Sequence, residues 1–378
     1  MWFHDASVYH LFPLGALDAA EQPRGFRLLR AWAPYIADSG YSAVLLGPIW
    51  HSATHGYDTV DYRNPDPRLG TWEDLEAGVY ALREAGLRLV LDTVFNHSGR
   101  GFFAFAEVCS RGSSSPYWSW YRGLRMQASS PDGIAVSGWN GYAELPQFDL
   151  TNTAVRRYHL DTLDLWMSRL DFDGLRLDAA DVMDPVFLRE LAARCRARRP
   201  DIWMLGELVN GDYGSWLRDS TFDSVTNYEL YKSLWSSHRD GNYYELAWTL
   251  DRLFGDTGLC RDYLPLSFAD NHDVTRIADQ VGDPSKLPPL LTLLVLSPGV
   301  PSTYYGSEAG QRSVKGGGDD RVLRPYLAVE DLRRRNGELG EALSGLLGLR
   351  KRRPELRLGS MEALENNHEQ IWFRRVSG

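Results

Sequence analysis

The chain is 378 residues long, 43% hydrophobic and 24% charged, with a formal net charge of −9 at pH 7. That length exceeds one small core and suits a single large α/β barrel with an appendage, and the composition is that of an ordinary globular protein. The acidic balance excludes nucleic acid as the main partner, because phosphate binding needs a concentrated basic surface; the arginine-rich stretches Arg194 to Arg199 and Arg350 to Arg353 fall at the ends of helical patterns, where cations suit the helix dipole.

Nothing at the start reads as a signal peptide: Met1-Trp-Phe-His-Asp-Ala-Ser lacks both a basic and an apolar region. The most apolar run, Leu287 to Leu296, is far short of the roughly 20 residues of a membrane span and reads as a buried helix. Cys109, Cys195 and Cys260 are odd in number and widely spaced, which fits reduced thiols. The expectation is a cytoplasmic protein with no membrane association.

Taken in order, the chain alternates strand and helix patterns. Ser7 to Phe12 reads as a first strand, and Phe26 to Ser39 as a helix stopped by Gly40. Ala43 to Ile49 is a second strand, Trp72 to Glu84 a helix ending before Gly86, and Leu87 to Asp92 a third strand. Such alternation, with short Gly-containing connections, belongs to a parallel sheet with right-handed crossovers. Between His97 and Asn152 the rhythm breaks: the sequence is rich in Gly, Ser, Pro and aromatic residues and shows no clear helix. A structureless loop of that length runs against loop statistics in compact domains, so the interval predicts a small irregular subdomain over the site. Its Trp118, Trp120, Trp139 and Tyr142 are either its own core or exposed stacking surfaces.

The alternation resumes with helix Thr153 to Arg169, strand Gly174 to Leu177, helix Pro185 to Arg199 and strand Ile202 to Leu205. Phe222 to Asn227 is a weak sixth strand, followed by helical sequence through Phe254. Leu264 to Ala269 and Val300 to Tyr305 are the seventh and eighth strands, with a helix from Gly337 to Arg352 behind. Eight such units predict an α/β fold, a TIM (β/α)8 barrel. The boundaries read as 1–97 and 148–355 for the barrel, 98–147 for the inserted subdomain and 356–378 for a short C-terminal β segment, with Met361 to Leu364 and Gln370 to Arg374 strand-like. Gly316-Gly-Gly318 reads as a loop over the barrel mouth.

Polar residues gather where these strands end: Asp92, Asn96 and His97 after the third, Arg176 and Asp178 at the fourth, Glu207 at the fifth, His272 and Asp273 after the seventh. In a TIM barrel those ends form one face and hold the active site. Arg176 and Asp178, two apart, share a face of a strand whose interior should be apolar, so they are costly unless paired and used. A structural ion pair is the bland reading, but it does not explain polar groups recurring on neighbouring strands. Three carboxylates with histidines, and no cysteine or histidine cluster for a metal, suit acid and nucleophile chemistry on an acetal. Retaining glycoside hydrolysis uses two carboxyls about 5 to 5.5 Å apart, which neighbouring strands offer. Arg176 beside Asp178 is expected to keep that carboxylate ionised, while Glu207, with no cation adjacent in sequence, is free to be raised as an acid.

These residues carry a family resemblance. Asp92-Thr-Val-Phe-Asn96-His97, Gly174-Leu-Arg176-Leu-Asp178, Glu207 after a strand, and Phe268-Ala-Asp-Asn-His272-Asp273 occur in order, together with Gly56-Tyr57-Asp58-Thr-Val-Asp61-Tyr62. Over residues 5 to 355 the chain resembles the α-amylase family, glycoside hydrolase family 13. The resemblance implies Asp178 as nucleophile, Glu207 as general acid/base and Asp273 as the carboxylate stabilising the transition state. It implies that Tyr57, Asp92, His97, Arg176 and His272 surround the sugar in subsite −1, with Asp320 and Arg324 as a subsite −2 pair. Asn96 helps bind calcium in many members; no clear partner set is visible here, so no metal ligand is assigned, no cofactor is required, and calcium stays open.

After the nucleophile, Ala179-Ala180-Asp181-Val182 replaces the Lys-His pair of many endo-acting amylases and is more similar to the cyclomaltodextrinase, maltogenic amylase and neopullulanase group. That group's N-terminal β-module does not fit before Ser7, and its C-terminal β domain is reduced to a stub. The implied activity is cleavage of α-1,4 bonds in malto-oligosaccharides or cyclomaltodextrins, with an oligosaccharide as partner and monomer or homodimer undecided. A glucanotransferase, an α-glucosidase or a trehalose-synthase-type isomerase would use the same site; a non-catalytic sugar-binding homologue would be expected to lack a carboxylate, and all three are present.

Overall fold

A computed structural model describes residues 1–17, 25–130, 132–219, 221–316, 320–335 and 337–376. Eight parallel strands form one sheet: β1 (Val8–Leu11), β2 (Ala43–Leu46), β3 (Arg88–Thr93), β4 (Gly174–Leu177), β5 (Trp203–Gly206), β6 (Ser224–Val225), β7 (Leu266–Phe268) and β8 (Val300–Tyr304). Pairing runs in chain order from β1 to β6 and from β7 to β8, and β8 returns to β1. The gap between β6 and β7 is closed by one parallel bridge, Thr226 to Leu266, where the Asn227 N–H donates to the Leu266 carbonyl at 2.9 Å. The fold is therefore the expected TIM barrel.

Residues two apart share a strand face, so each interior column can be followed upward. Val8, Ala43, Leu45, Val90, Trp203, Leu205, Leu266 and Val300 make an apolar plug, which Phe3 closes by stacking on Trp203 at 5.2 Å. One step further along the same columns, Val90 gives way to Asp92, Gly174 to Arg176 and Leu205 to Glu207. The barrel is oil at its N-terminal end and charge at its C-terminal end.

The helices start and stop where the sequence provides caps. Helix Trp72–Glu84 opens on a capping box between Thr71 and Asp74, and Asn152 and Asp184 cap helices Thr153–Arg169 and Pro185–Arg198. Gly40 and Gly86 take φ of +96° and +77°, the left-handed region that a side chain would resist. The first helix departs from expectation: it is a 3₁₀ turn, Gly25–Leu28, followed by an α-helix over Leu29–Asp38. Leu287–Leu296 is a helix with Leu287, Leu290, Leu291, Leu294 and Val295 buried. No helix among the described residues is long and apolar enough to cross a membrane.

Of the elements that escape the sequence reading, two bear on the site. The interval 98–147 contains a helix, Phe103–Arg111, whose N-cap is Phe102 with no side-chain cap, so the usual start signal is missing. Of the interval's aromatics, Trp120 is buried edge-on to Tyr117, Tyr142 is exposed, and Trp139 lies 6.0 Å from the His97 ring. The second element is an antiparallel hairpin, Trp50–Ser52 with Thr59–Pro65, whose loop carries Tyr57 to the barrel mouth. At the C-terminus Ser360–Asn366 and Ile371–Val376 pair antiparallel, and Arg375 donates to the carbonyls of Leu296 and Leu356 to fasten this hairpin to the barrel. Of the Gly316-Gly-Gly318 loop, Gly317 and Gly318 lie outside the described residues.

Candidate active site

The site is organised around Arg176, which β4 points into the barrel mouth and which is 3% exposed. Its Nη1 donates to Asp92 Oδ1 at 2.7 Å and to Asp178 Oδ1 at 3.1 Å, and its Nη2 lies 2.5 Å from Glu207 Oε1. One guanidinium thus joins carboxyls from the ends of β3, β4 and β5. The ladder continues past each strand to hold them: Asp178 N–H donates to Thr93 O and Glu207 N–H to Leu177 O, both at 2.9 Å.

The turn that follows β4 is strained. Ala179 takes φ +50°, a left-handed conformation costly for a residue with a Cβ, and in that conformation its N–H donates to Glu207 Oε2 at 3.1 Å. On the other side of the mouth, the Tyr57 hydroxyl donates to Asp92 Oδ2 at 2.8 Å and meets His272 Nε2 at 2.5 Å. His272 Nε2 is also 2.9 Å from Asp273 Oδ2. His97 lies beneath Tyr57, its Nε2 donating to the Tyr57 carbonyl at 3.2 Å, and burial lowers it to about 3, so it is a neutral imidazole.

Charge in the site is divided unequally. Burial first, and then the charge of Glu207, push Asp178 well above the usual carboxylate range against the pull of Arg176. Asp92 is also raised by burial, with Arg176, His272 and Tyr57 opposing. Glu207 stands beside Asp178 as a second buried carboxyl, so its charge adds to burial in disfavouring the anionic form of Asp178. Asp273 goes the other way: burial opposes ionisation, but His272, Arg324 and Arg176 outweigh it and hold this carboxyl far below its ordinary value. The expectations that Arg176 keeps Asp178 ionised, and that Glu207 with no cation adjacent in sequence stands apart from one, are corrected here. Sequence adjacency concealed that Arg176 reaches across to the neighbouring strand, where it approaches Glu207 more closely than Asp178.

Nine of the ten residues expected from sequence converge on this mouth; Asp320 joins at the edge. Arg324 spends its guanidinium on the His272 carbonyl at 3.2 Å and on Asp273 Oδ1 at 3.1 Å, over the Phe12 ring, while Asp320 is 3.8 Å away and half-exposed. The pair expected as a unit is therefore loose, with Arg324 bound to the Asp273 loop. Sequence reasoning passed over Tyr228, Asn271 and Lys315. The Tyr228 hydroxyl donates to Glu207 Oε1, Asn271 Nδ2 donates to the Tyr228 hydroxyl, both at 3.2 Å, and Lys315 Nζ donates to the Asp273 carbonyl at 2.7 Å. Asn271 sat inside a quoted motif, but Tyr228 read only as the opening of a helix. The Asn96 amide is taken up by partners within the protein. Asn96 Oδ1 accepts from Gln147 Nε2 at 3.1 Å, and among the described residues no three His, Cys, Asp or Glu side chains gather as ligands.

Comparison with known proteins agrees with this geometry. The family model for the α-amylase catalytic domain matches residues 32–347. A cyclomaltodextrinase of Geobacillus thermopakistaniensis is 33% identical over 344 residues, 89% of this chain and 57% of its own. An intracellular maltogenic amylase of Bacillus subtilis is 27% identical over 351 residues, 90% of this chain and 58% of its own. Among solved structures, the cyclic α-maltosyl-(1→6)-maltose hydrolase of Arthrobacter globiformis superposes with a TM-score of 0.87 at 27% identity, covering all of this chain and 90% of that one. The chain belongs to the α-amylase family, glycoside hydrolase family 13, on the side of the cyclomaltodextrinases and maltogenic amylases. It spans somewhat more than half the length of these two curated relatives.

Proposed function

We propose that the chain is a retaining glycoside hydrolase that cleaves α-1,4-glucosidic bonds in malto-oligosaccharides or cyclomaltodextrins, acting in the cytoplasm. The observation that carries this is the gathering of Asp178 and Glu207 from the ends of β4 and β5 around the buried Arg176, with Asp273 of the β7 loop held by Arg324 and the Tyr57 ring alongside. Glu207 gives its proton to the glycosidic oxygen as an Asp178 oxygen bonds to the anomeric carbon, and the carbon–oxygen bond to the leaving sugar breaks. Glu207, now anionic, takes a proton from water, whose oxygen bonds to that carbon and releases Asp178. Asp273, kept anionic by His272 and Arg324, faces the positive charge that develops on the ring in both steps.

The pair must hold its proton on Glu207 and its negative charge on Asp178 when the bond breaks. Burial of Asp178 beside Glu207 raises the cost of ionising both carboxyls at once, which supports a proton kept between them. The test is the product profile on maltotriose, maltoheptaose and β-cyclodextrin, with the first-formed anomer read by NMR. Release of α-anomeric maltodextrins is expected. A β-anomer overturns the retaining mechanism, and no new reducing ends from any substrate overturns the hydrolase reading.

A further inference from the structure

Glu207 accepts from three donors, Arg176 and Tyr228 at Oε1 and the Ala179 N–H at Oε2, whereas Asp178 receives Arg176 at 3.1 Å. Two of the three come from residues outside the familiar carboxyl and arginine set. The orientation of the Tyr228 hydroxyl follows from its neighbour. Asn271 Oδ1 accepts from the Asp273 N–H at 2.8 Å, so the amide nitrogen must face Tyr228 and donate to the phenol oxygen. With that oxygen used as acceptor, the single phenolic proton points at Glu207. Burial, then the charge of Glu207, raise the phenol well above its ordinary value, so it stays a neutral donor.

We infer that Tyr228 is a positioning residue: locked by Asn271, its hydroxyl favours the anionic form of Glu207 and so decides how the proton of the Asp178–Glu207 pair is shared. The inference rests on the hydrolase reading for its catalytic consequence. The groups facing Glu207 are Arg176 and Asp178 from β4, Asp181 from the turn beyond it, Tyr228 after β6, and Asp273 on the far side of Tyr228. Of these, Tyr228 is the neutral donor whose removal changes no charge. The phenol also links the acid/base carboxyl to the Asp273 loop through one amide, so the two sides of the mouth share a hydrogen-bonded brace.

Tyr228→Phe keeps the ring, which packs edge-on to Phe268 at 4.9 Å and near Tyr231 at 6.2 Å. Losing one hydrogen bond to the carboxylate is expected to move the basic limb of the kcat/KM profile on maltoheptaose up by about half a pH unit or more. Tyr231→Phe, whose hydroxyl accepts from Gln280 instead, leaves the limb in place. A second readout needs no turnover: in protein labelled with carboxyl-13C glutamate, the resonance that disappears in Glu207→Gln titrates at higher pH in Tyr228→Phe than in the unsubstituted protein. A resonance that does not move overturns the inference whether or not the protein is active. A resonance that moves in a protein that hydrolyses nothing sustains Tyr228's control of the proton and overturns the hydrolase reading alone.

Discussion

The two ends of β4 carry opposite arrangements of buried charge. At the C-terminal end one cation, Arg176, faces three carboxyls; just before the N-terminal end one carboxylate, Asp173, faces three cations, Arg83, Arg88 and Arg199, at 2.6, 2.7 and 2.8 Å. Both central groups are buried, but their partners differ. The Arg88 side chain is 45% exposed and those of Arg83 and Arg199 are about a quarter exposed, and the latter two also pair with the exposed Asp171, so Asp171 and water together offset the excess positive charge. Asp173 is satisfied further by the Leu89 N–H at 2.9 Å. At the other end the excess is negative and enclosed, and it emerges as raised Asp178 and Asp92. The lower cluster ties β3, β4 and two helices together. The upper one crowds three carboxyls around one cation, which burial makes unfavourable to folding.

The largest effect that separates the two ends is on turnover. Asp178→Asn is expected to lower kcat on maltoheptaose by at least about a thousandfold, because no carboxylate is left to bond the anomeric carbon. The same substitution removes a carboxyl that burial penalises, so the thermal midpoint should stay level or rise. A fall of several degrees would show that the upper cluster is structural after all.

Asp173→Asn should do the reverse. Removing the central anion leaves three cations around a buried amide, two of them still paired with Asp171, and the expected loss is about 2–3 kcal/mol in urea unfolding, at the low end for a broken buried pair because the arginines also reach Asp171 and water. Turnover by the folded protein should stay within about twofold, since Asp173 lies at the opposite end of the strand from the reacting groups. A large loss of kcat at full folding would break the comparison from the other side.

How far the sequence reveals these two ends follows from the physics of each. Arg176 and Asp178 were legible because charged residues are costly on an interior strand face, and their partners stood at predictable strand ends. The helices with Thr71, Asn152 and Asp184 caps were legible for local reasons. What the sequence concealed was lateral. The register Arg176 to Leu205 on β5 brings the guanidinium to Glu207 two residues further on, and nothing near Glu207 in the chain announces it. Asp173 was hidden likewise, since its cations lie on β3, on the Trp72–Glu84 helix and after the Pro185–Arg198 helix. Tyr228 was missed because an aromatic at a helix start is ordinary until the neighbouring strand ends are known. Phe103–Arg111 starts without a side-chain cap, and the Tyr57 hairpin pairs with two register shifts, so neither presents a regular pattern in the sequence.

A smaller effect sharpens the comparison through pH. A carboxyl raised in the folded state binds its proton more tightly there than in the unfolded chain. Its contribution is therefore most favourable below the ordinary value of 3.8 and is lost as pH rises toward the higher folded value. Asp178→Asn abolishes this dependence, so its thermal midpoint relative to the unsubstituted protein should improve steadily from about pH 4 toward neutrality. Asp273 has the opposite sign: being depressed, it stabilises the fold above 3.8 and loses that contribution on acidification. Asp273→Asn should therefore be least stable relative to the unsubstituted protein near neutrality and approach it as pH falls below 3.8.

The smallest effect is expected at the rim of the lower cluster. Arg88→Gln removes one of three cations, and its side chain is nearly half in water, over the Trp2 ring at 5.6 Å. The carboxylate keeps Arg83, Arg199 and the Leu89 N–H, so it is not orphaned, and the remaining interaction is screened. The expected loss is about 0.5 kcal/mol, falling toward zero in molar salt. The corresponding deletion at the upper end, Arg176→Gln, removes the only guanidinium among the described residues bonded to Asp92, Asp178 and Glu207 together. Both turnover and stability should then fall well beyond the Arg88 effect, with no recovery in salt. If Arg88→Gln proves as costly as Asp173→Asn, the lower cluster is a network in which every cation is needed, and Asp171 and water do not offset its charge.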